Sequence, residues 1–263
     1  MALRLLPARQ SGATVDSGFY AACAGLRAQS QALEVVAHNL ANLSTVGYRG
    51  EQSTFQSLMA VSHPTVPNVL NLATNNYGVM EGAHMDTSAG NLQPTGNPMD
   101  VGIEGQGYFV IQTPRGTRYT RNGSFQISST GILVTATGDP VYGDPSLKAR
   151  GLINVPPGAV SIASDGTISV KGVVAGTIRL EDFPPGTQLT AEGSTLFAAP
   201  DGSGQAARGS KLRQGALEAS NVNPMTTVAM LLSVEREAEM MQRALSLFDS
   251  AFNQIASNNL SKV

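Results

Sequence analysis

Proline and glycine are the residues a long helix tolerates least, and in this chain their placement is very uneven. No proline occurs between Pro7 and Pro64, and neither residue occurs after Pro224, whereas the middle is dense in both. Proline removes a backbone donor and glycine raises the entropic cost of order, so long helices are confined to the two ends and the middle is left to short strands and turns. The fold class that follows is α+β, with paired N- and C-terminal coiled-coil helices enclosing an all-β central domain.

At the N-terminal end, Phe19, Cys23, Leu26, Ser30, Leu33, Ala37 and Leu40 alternate in steps of four and three, the spacing of a coiled-coil seam. Asp16 or Ser17 is the expected N-cap. The helix is expected over about residues 17 to 42, roughly 39 Å at 1.5 Å per residue. Asn42, Ser44, Thr45 and Gly47 then supply turn chemistry. At the C-terminal end, Asn223 is the expected cap and Pro224 the first helical residue, where a missing N–H costs nothing. Its seam reads Val228, Leu231, Val234, Ala238, Met241, Leu245, Phe248, Phe252 and Ile255. Glu239 and Arg243 form an i,i+4 pair and mark an outward face. A helix from 224 to about 259 spans roughly 54 Å. A heptad seam is half of an interface, so the two ends are expected to pair with each other and to bury the remainder against neighbouring subunits.

The centre reads as short strands set by turns: Tyr108 to Gln112, Thr117 to Thr120, Ser124 to Ile127, Ile132 to Thr135, Val160 to Ala163, Ile168 to Val170 and Thr177 to Leu180. Asn122-Gly123 predicts a type I′ hairpin turn and Asp165-Gly166 another. The expected organisation is an N-terminal extension over 1–15, a terminal helical assembly domain from 16–64 plus 216–263, a connector over 65–90, and a β-rich domain over 91–215.

A formal charge of −2 with 14% charged residues offers no broad basic surface for nucleic acid or anionic lipid. No run approaches the roughly 20 apolar residues that span a bilayer, so no direct membrane insertion is expected. The start, with Leu5 and Leu6 between Arg4 and Arg9, lacks the h-region and cleavage site of a secretory signal. The single Cys23 excludes an internal disulfide; its place on the seam predicts a small buried side chain. His38, His63 and His84 have no ligand spacing, so no metal is expected. Gly102, Gly105 and Gly107 run GxxGxG, not the dinucleotide order, and precede a strand. No GxSxG elbow occurs, and acidic residues such as Asp139 and Asp165 sit in turn contexts. Asn42-Leu43-Ser44 and Asn122-Gly123-Ser124 match glycosylation sequons, but each Asn has a turn role. No catalytic residue or cofactor is expected. The rival from another class is a surface β-domain adhesin or glycan-processing protein on a helical stalk, which needs paired carboxylates or an aromatic platform. With no Trp and 5% aromatics the chain is poorly equipped for that. A chaperone or adaptor using its terminal helices to hold a partner is a third reading.

Three blocks carry a resemblance. The first helix is followed by Asn39-Leu40-Ala41-Asn42-Leu43-Ser44-Thr45-Val46-Gly47-Tyr48-Arg49. The second block holds Thr95-Gly96-Asn97-Pro98-Met99-Asp100-Val101, Gly105-Gln106-Gly107-Tyr108-Phe109, Tyr119-Thr120-Arg121-Asn122-Gly123-Ser124-Phe125 and Gly131-Ile132-Leu133. The third is Gly215-Ala216-Leu217-Glu218-Ala219-Ser220-Asn221-Val222-Asn223. Together they resemble the bacterial flagellar basal-body rod and hook family, nearer to its proximal-rod than to its distal-rod members. Glu235-Arg236, Ala238 and Gly102 depart from that pattern.

The resemblance implies a structural, torque-transmitting role in the periplasm-spanning rod. The chain would pass the flagellar type III export apparatus without a cleaved signal peptide, then self-associate in a helical tube with other rod and hook axial proteins. The residues it assigns to the assembly interface are Phe19, Cys23, Leu26, Leu33, Leu40, Asn42, Thr45, Gly47, Tyr48, Val228, Leu231, Val234, Met241, Leu245, Phe248, Phe252 and Ile255. The first fifteen residues fall outside the match, and Val15 is the expected start of the family-like chain.

Overall fold

A computed structural model of the chain describes residues 13–57, 78–144 and 151–260. The chain divides into two compact units, Met1–His38 with Glu51–His84 and Met225–Val263, and Asn39–Gly50 with Met85–Pro224.

The first unit holds most of helix α1 (Ala13–Ala41), helix α2 (Pro224–Leu260) and a two-stranded sheet of β1 (Glu51–Ser57) and β2 (Gly78–Met85). Pro224 opens α2, as its fixed φ favours. Asp16 and Ser17 do not cap α1; they lie inside it, because nothing between Ala13 and Ser17 breaks a helix. The sequence predicts no strand at β1 or in the 65–90 connector, which contains all of β2. Glu51–Ser57 is mostly polar and Gly78–Met85 carries two glycines, so neither shows clean alternation. His63 lies outside the described residues.

The second unit is all β apart from the end of α1. In chain order its strands are β3 (Leu92–Pro94), β4 (Val101–Glu104), β5 (Tyr108–Thr113), β6 (Gly116–Thr120), β7 (Phe125–Ile127), β8 (Leu133–Thr135), β9 (Val160–Ile162), β10 (Thr167–Val170), β11 (Val173–Thr177), β12 (Leu180–Asp182), β13 (Thr190–Ala191), β14 (Leu196–Ala198), β15 (Gln205–Ala206), β16 (Lys211–Gln214) and β17 (Ala216–Glu218). The largest sheet runs β13-β14-β6-β5-β12-β15, and a second runs β11-β10-β9. Three antiparallel pairs, β16-β4, β17-β3 and β7-β8, complete the unit.

Strand β5 sits centrally, with Tyr108 to Ile111 all buried, so both of its faces are covered. Phe109 enters the main core with Val101, Leu133, Ile153 and Ile168 and meets Phe125 edge-on at 4.9 Å. On the opposite face Tyr108 packs against Phe183 and Phe197. Periodicity alone cannot distinguish such a doubly covered strand from a buried helix segment. Its bounding Gly107 and Pro114 mark it as a strand.

Two expectations for the centre are corrected. Asn122-Gly123 is not a hairpin turn: β6 pairs with β5 and β14, β7 pairs with β8, and neither Asn122 nor Gly123 has positive φ. Gly123 is needed for space, since a Cβ there would lie 1.7 Å from the Val101 carbonyl oxygen. The turn with positive φ at both central residues is Lys171-Gly172, between β10 and β11. Thr177 to Leu180 is likewise not one strand; β11 ends at Thr177 and β12 begins at Leu180. Asp165-Gly166 does lie in the turn between the paired β9 and β10, where the Thr167 amide donates to Asp165 Oδ1.

Candidate assembly site

Along α2, Leu231, Val234, Ala238, Met241, Ala244 and Leu245 are half-buried, whereas the residues between them are exposed. These positions recur at three- and four-residue steps and so lie on one face. Val228 is exposed, and the side chains of Phe248, Phe252 and Ile255 lie outside the described residues. A second apolar set stays in solvent, including Met225, Met230, Leu232, Met240 and Leu247, at 50 to 81% exposure. Arg243 pairs with Glu239 at 3.6 Å on the outward face.

On α1 the buried stripe is Gly25, Ala28, Ala32, Val35 and Val36. It lies roughly a third of a turn from the stripe expected from heptad spacing. Leu26, Leu33 and Leu40 are half-buried, Cys23, Ser30 and Ala37 are exposed, and the Phe19 side chain is outside the described residues. The burial expected for Cys23 is therefore not found in the single chain. The reason is size: small side chains let a helix approach its neighbour closely, so the packed face is the one with Gly25, Ala28 and Ala32, and larger residues are left beside it. The helices touch where Gln29 Nε2 donates to the Glu237 carboxylate.

The turn after α1 spends its polar groups inside the second unit. Thr45 Oγ1 donates to Asn42 Oδ1 at 3.0 Å, and the Tyr48 hydroxyl donates to Asn39 Oδ1 at 3.0 Å. Asn42, Gly47 and Tyr48 are buried and Thr45 is half-buried. Gly47 has φ +69° and a Cβ there would meet Asn122 N at 2.4 Å, so both conformation and space require glycine. Asn221 accepts from the Gly50 amide at 2.7 Å and donates to the carbonyls of Asp86 and Ser88, each at 3.0 Å.

Beside this turn, Glu218 binds two arginines. Its Oε1 lies 2.8 Å from Arg49 Nη2 and its Oε2 lies 3.0 Å from Arg121 Nη1. Oε1 also accepts from the Gly90 amide at 2.8 Å, and the Glu218 carbonyl accepts from the Gly47 amide at 2.8 Å. Arg49 donates further to the Ser88 carbonyl and Arg121 to that of Gly105, while the Arg121 guanidinium stands over the Tyr108 ring. Burial pulls the Arg121 pKa below its ordinary value, and the Glu218 carboxylate opposes that pull. Burial likewise raises the Tyr108 pKa.

Arg49, Arg121 and Glu218 each belong to a different one of the three motif blocks, but none had been assigned a structural role. Their signal is the scarcity of charge in these turn-rich blocks, where the only other charged residue is Asp100. Elsewhere, among the described residues, no three His, Cys, Asp or Glu side chains cluster as metal ligands, and no helix is long and apolar enough to cross a membrane.

The class this fold defines is a β domain bracketed by two long terminal helices with partly exposed apolar faces. A family model described as the flagellar hook protein FlgE/F/G D1 domain matches residues 102–170, and one described as the flagella basal body rod protein matches residues 19–49. The chain is 30% identical to the flagellar basal-body rod protein FlgG of Borreliella burgdorferi, over 92% of this chain and 98% of that protein. It is 31% identical to the flagellar basal-body rod protein FlgF of Mesorhizobium japonicum, over 93% of this chain and 100% of that protein. Against FlgG of Bacillus subtilis the identity is 28%, over 90% and 96%. The chain belongs to the flagellar basal-body rod protein family, whose members are structural rod proteins.

Proposed function

We propose that the chain is a rod subunit that transmits torque across the periplasm, its two terminal helices pairing as a coiled coil and packing into a helical tube with copies of itself and other rod and hook axial proteins. The observation that carries this reading is the set of large apolar side chains left in water on α2, such as Met225 at 81% and Leu247 at 69% exposure. Such a helix face is covered by another protein surface in an assembled state. Residues 16–64 and 216–263 form the assembly domain, and the half-exposed Leu26, Leu33 and Leu40 lie on its contact surface. The chain travels through the flagellar type III export apparatus. Within the rod it takes the proximal, FlgF-like position, supported by Pro224 directly following Asn221-Val222-Asn223. The FlgG-like distal position is the second reading, since the chain is about as similar to FlgG relatives as to FlgF relatives.

Electron cryo-microscopy of basal bodies from a strain lacking the gene tests both levels. A rod truncated below its distal segment is expected. A complete proximal segment with only the distal part missing selects the FlgG-like position, and a complete rod removes the rod function.

A further inference from the structure

One carboxylate, Glu218, serves two guanidiniums, Arg49 and Arg121, and the three side chains are at most 3% exposed. Among the described contacts these arginines have no other carboxylate; their remaining partners are carbonyl oxygens and the Tyr108 ring. The main core of the β unit, by contrast, lies wholly before Glu218 in the chain, between Val101 and Ile178 with Leu212 added. A chain emerging N-terminus first therefore holds its core residues well before it holds the counter-ion for its two buried cations.

We propose that Glu218 is a folding checkpoint: the β unit closes around Arg49 and Arg121 only after the chain has been delivered through residue 218. Closing earlier would bury two uncompensated cations, a penalty on the scale of a domain's whole stability. Glu218 also completes the backbone, accepting from the amides of Gly47 and Gly90 and pairing β17 with β3. An apolar trio of similar volume would fill the same space without imposing that order, since buried ion sets are often replaceable by hydrophobic residues at no loss of stability.

Pulse-labelling hydrogen exchange during refolding of the full-length chain tests the proposal. In the unmodified chain, amides of β5, β10 and β17 should gain protection in one phase. In the triple variant R49M/R121M/E218L, β5 and β10 should become protected at least about tenfold sooner than β17, and in Glu218→Gln the joint phase should slow by about tenfold or more. Early protection of β5 and β10 in the unmodified chain overturns the checkpoint. So does a triple variant that still folds in one phase. Should the triple variant fail to fold, an unchanged rate in Glu218→Gln overturns it.

Discussion

The Glu218 carboxylate meets the Arg49 guanidinium at 2.8 Å, with each side chain 1% exposed. A pair so buried is costly to break from one side, because the surviving charge keeps its desolvation penalty and loses its partner. Glu218→Gln should therefore destabilise the β unit by about 3 to 5 kcal/mol. The exposed pair Arg213 with Glu104 stands 3.6 Å apart on the surface, and Arg213→Ala should cost no more than about 1 kcal/mol. Urea unfolding of the two variants beside the unmodified chain measures the contrast, and equal losses would contradict it.

Gly123 gives a steric prediction free of backbone strain, because its φ is not in the left-handed region. An added methyl would sit 1.7 Å from the Val101 carbonyl, and the Val101 amide in turn donates to the Gly123 carbonyl at 3.0 Å. Relief requires moving one backbone away from the other. Gly123→Ala should cost about 3 kcal/mol or more. Gly138 has nothing within 4 Å of its added Cβ and carries only the strain of its φ of +90°, so Gly138→Ala should be the milder change. Thermal melts of both variants check the order.

These sites also show what the sequence could reveal. The two long helices were legible because proline is absent from the interior of both and glycine from α2, and Pro224 fixed the start of α2. The half-buried face of α2 follows its large residues, Leu231, Val234, Met241 and Leu245, whose spacing is visible in one dimension. The packed face of α1 is built on Gly25, Ala28 and Ala32, residues that a hydrophobic pattern weights lightly although they permit the closest approach. Asn122-Gly123 misled because the same dipeptide suits a tight turn and a close backbone crossing, and only the partner strand distinguishes them. The join between Arg49, Arg121 and Glu218 was out of reach because pairing between residues far apart in the chain leaves no local period.

The helix faces make an assembly prediction. Leu33→Asp and Leu245→Asp place a charge on half-buried apolar positions, where desolvating it is unfavourable, and should abolish swimming. Arg243→Ala removes an exposed i,i+4 partner and should swim normally. Ala32→Leu tests the other side of α1: Ala32 is buried, so the larger side chain should overpack that face and destabilise the chain by about 1 to 3 kcal/mol. Swimming halos in soft agar, with secreted and assembled protein measured by immunoblot, separate failure to assemble from failure to fold.

Tyr119 supplies a pH dependence. Burial, followed by its hydrogen bond to Glu181, pushes its hydroxyl from 10.0 up to about 12. Glu181 is itself buried and paired with Arg179, so a tyrosinate formed there would face an anion. The folded state thus holds this proton more tightly than the unfolded chain does. Its contribution is fully present below about pH 10 and is lost as pH rises from there to about 12. Tyr119→Phe should lower stability at neutral pH, because Glu181 loses a donor, but should flatten the decline above pH 10. Tyr108, also raised by burial, will leave a residual slope. Urea midpoints across that alkaline range, with tyrosinate absorbance followed in parallel, test the sign. A decline as steep in Tyr119→Phe as in the unmodified chain would remove Tyr119 as its source.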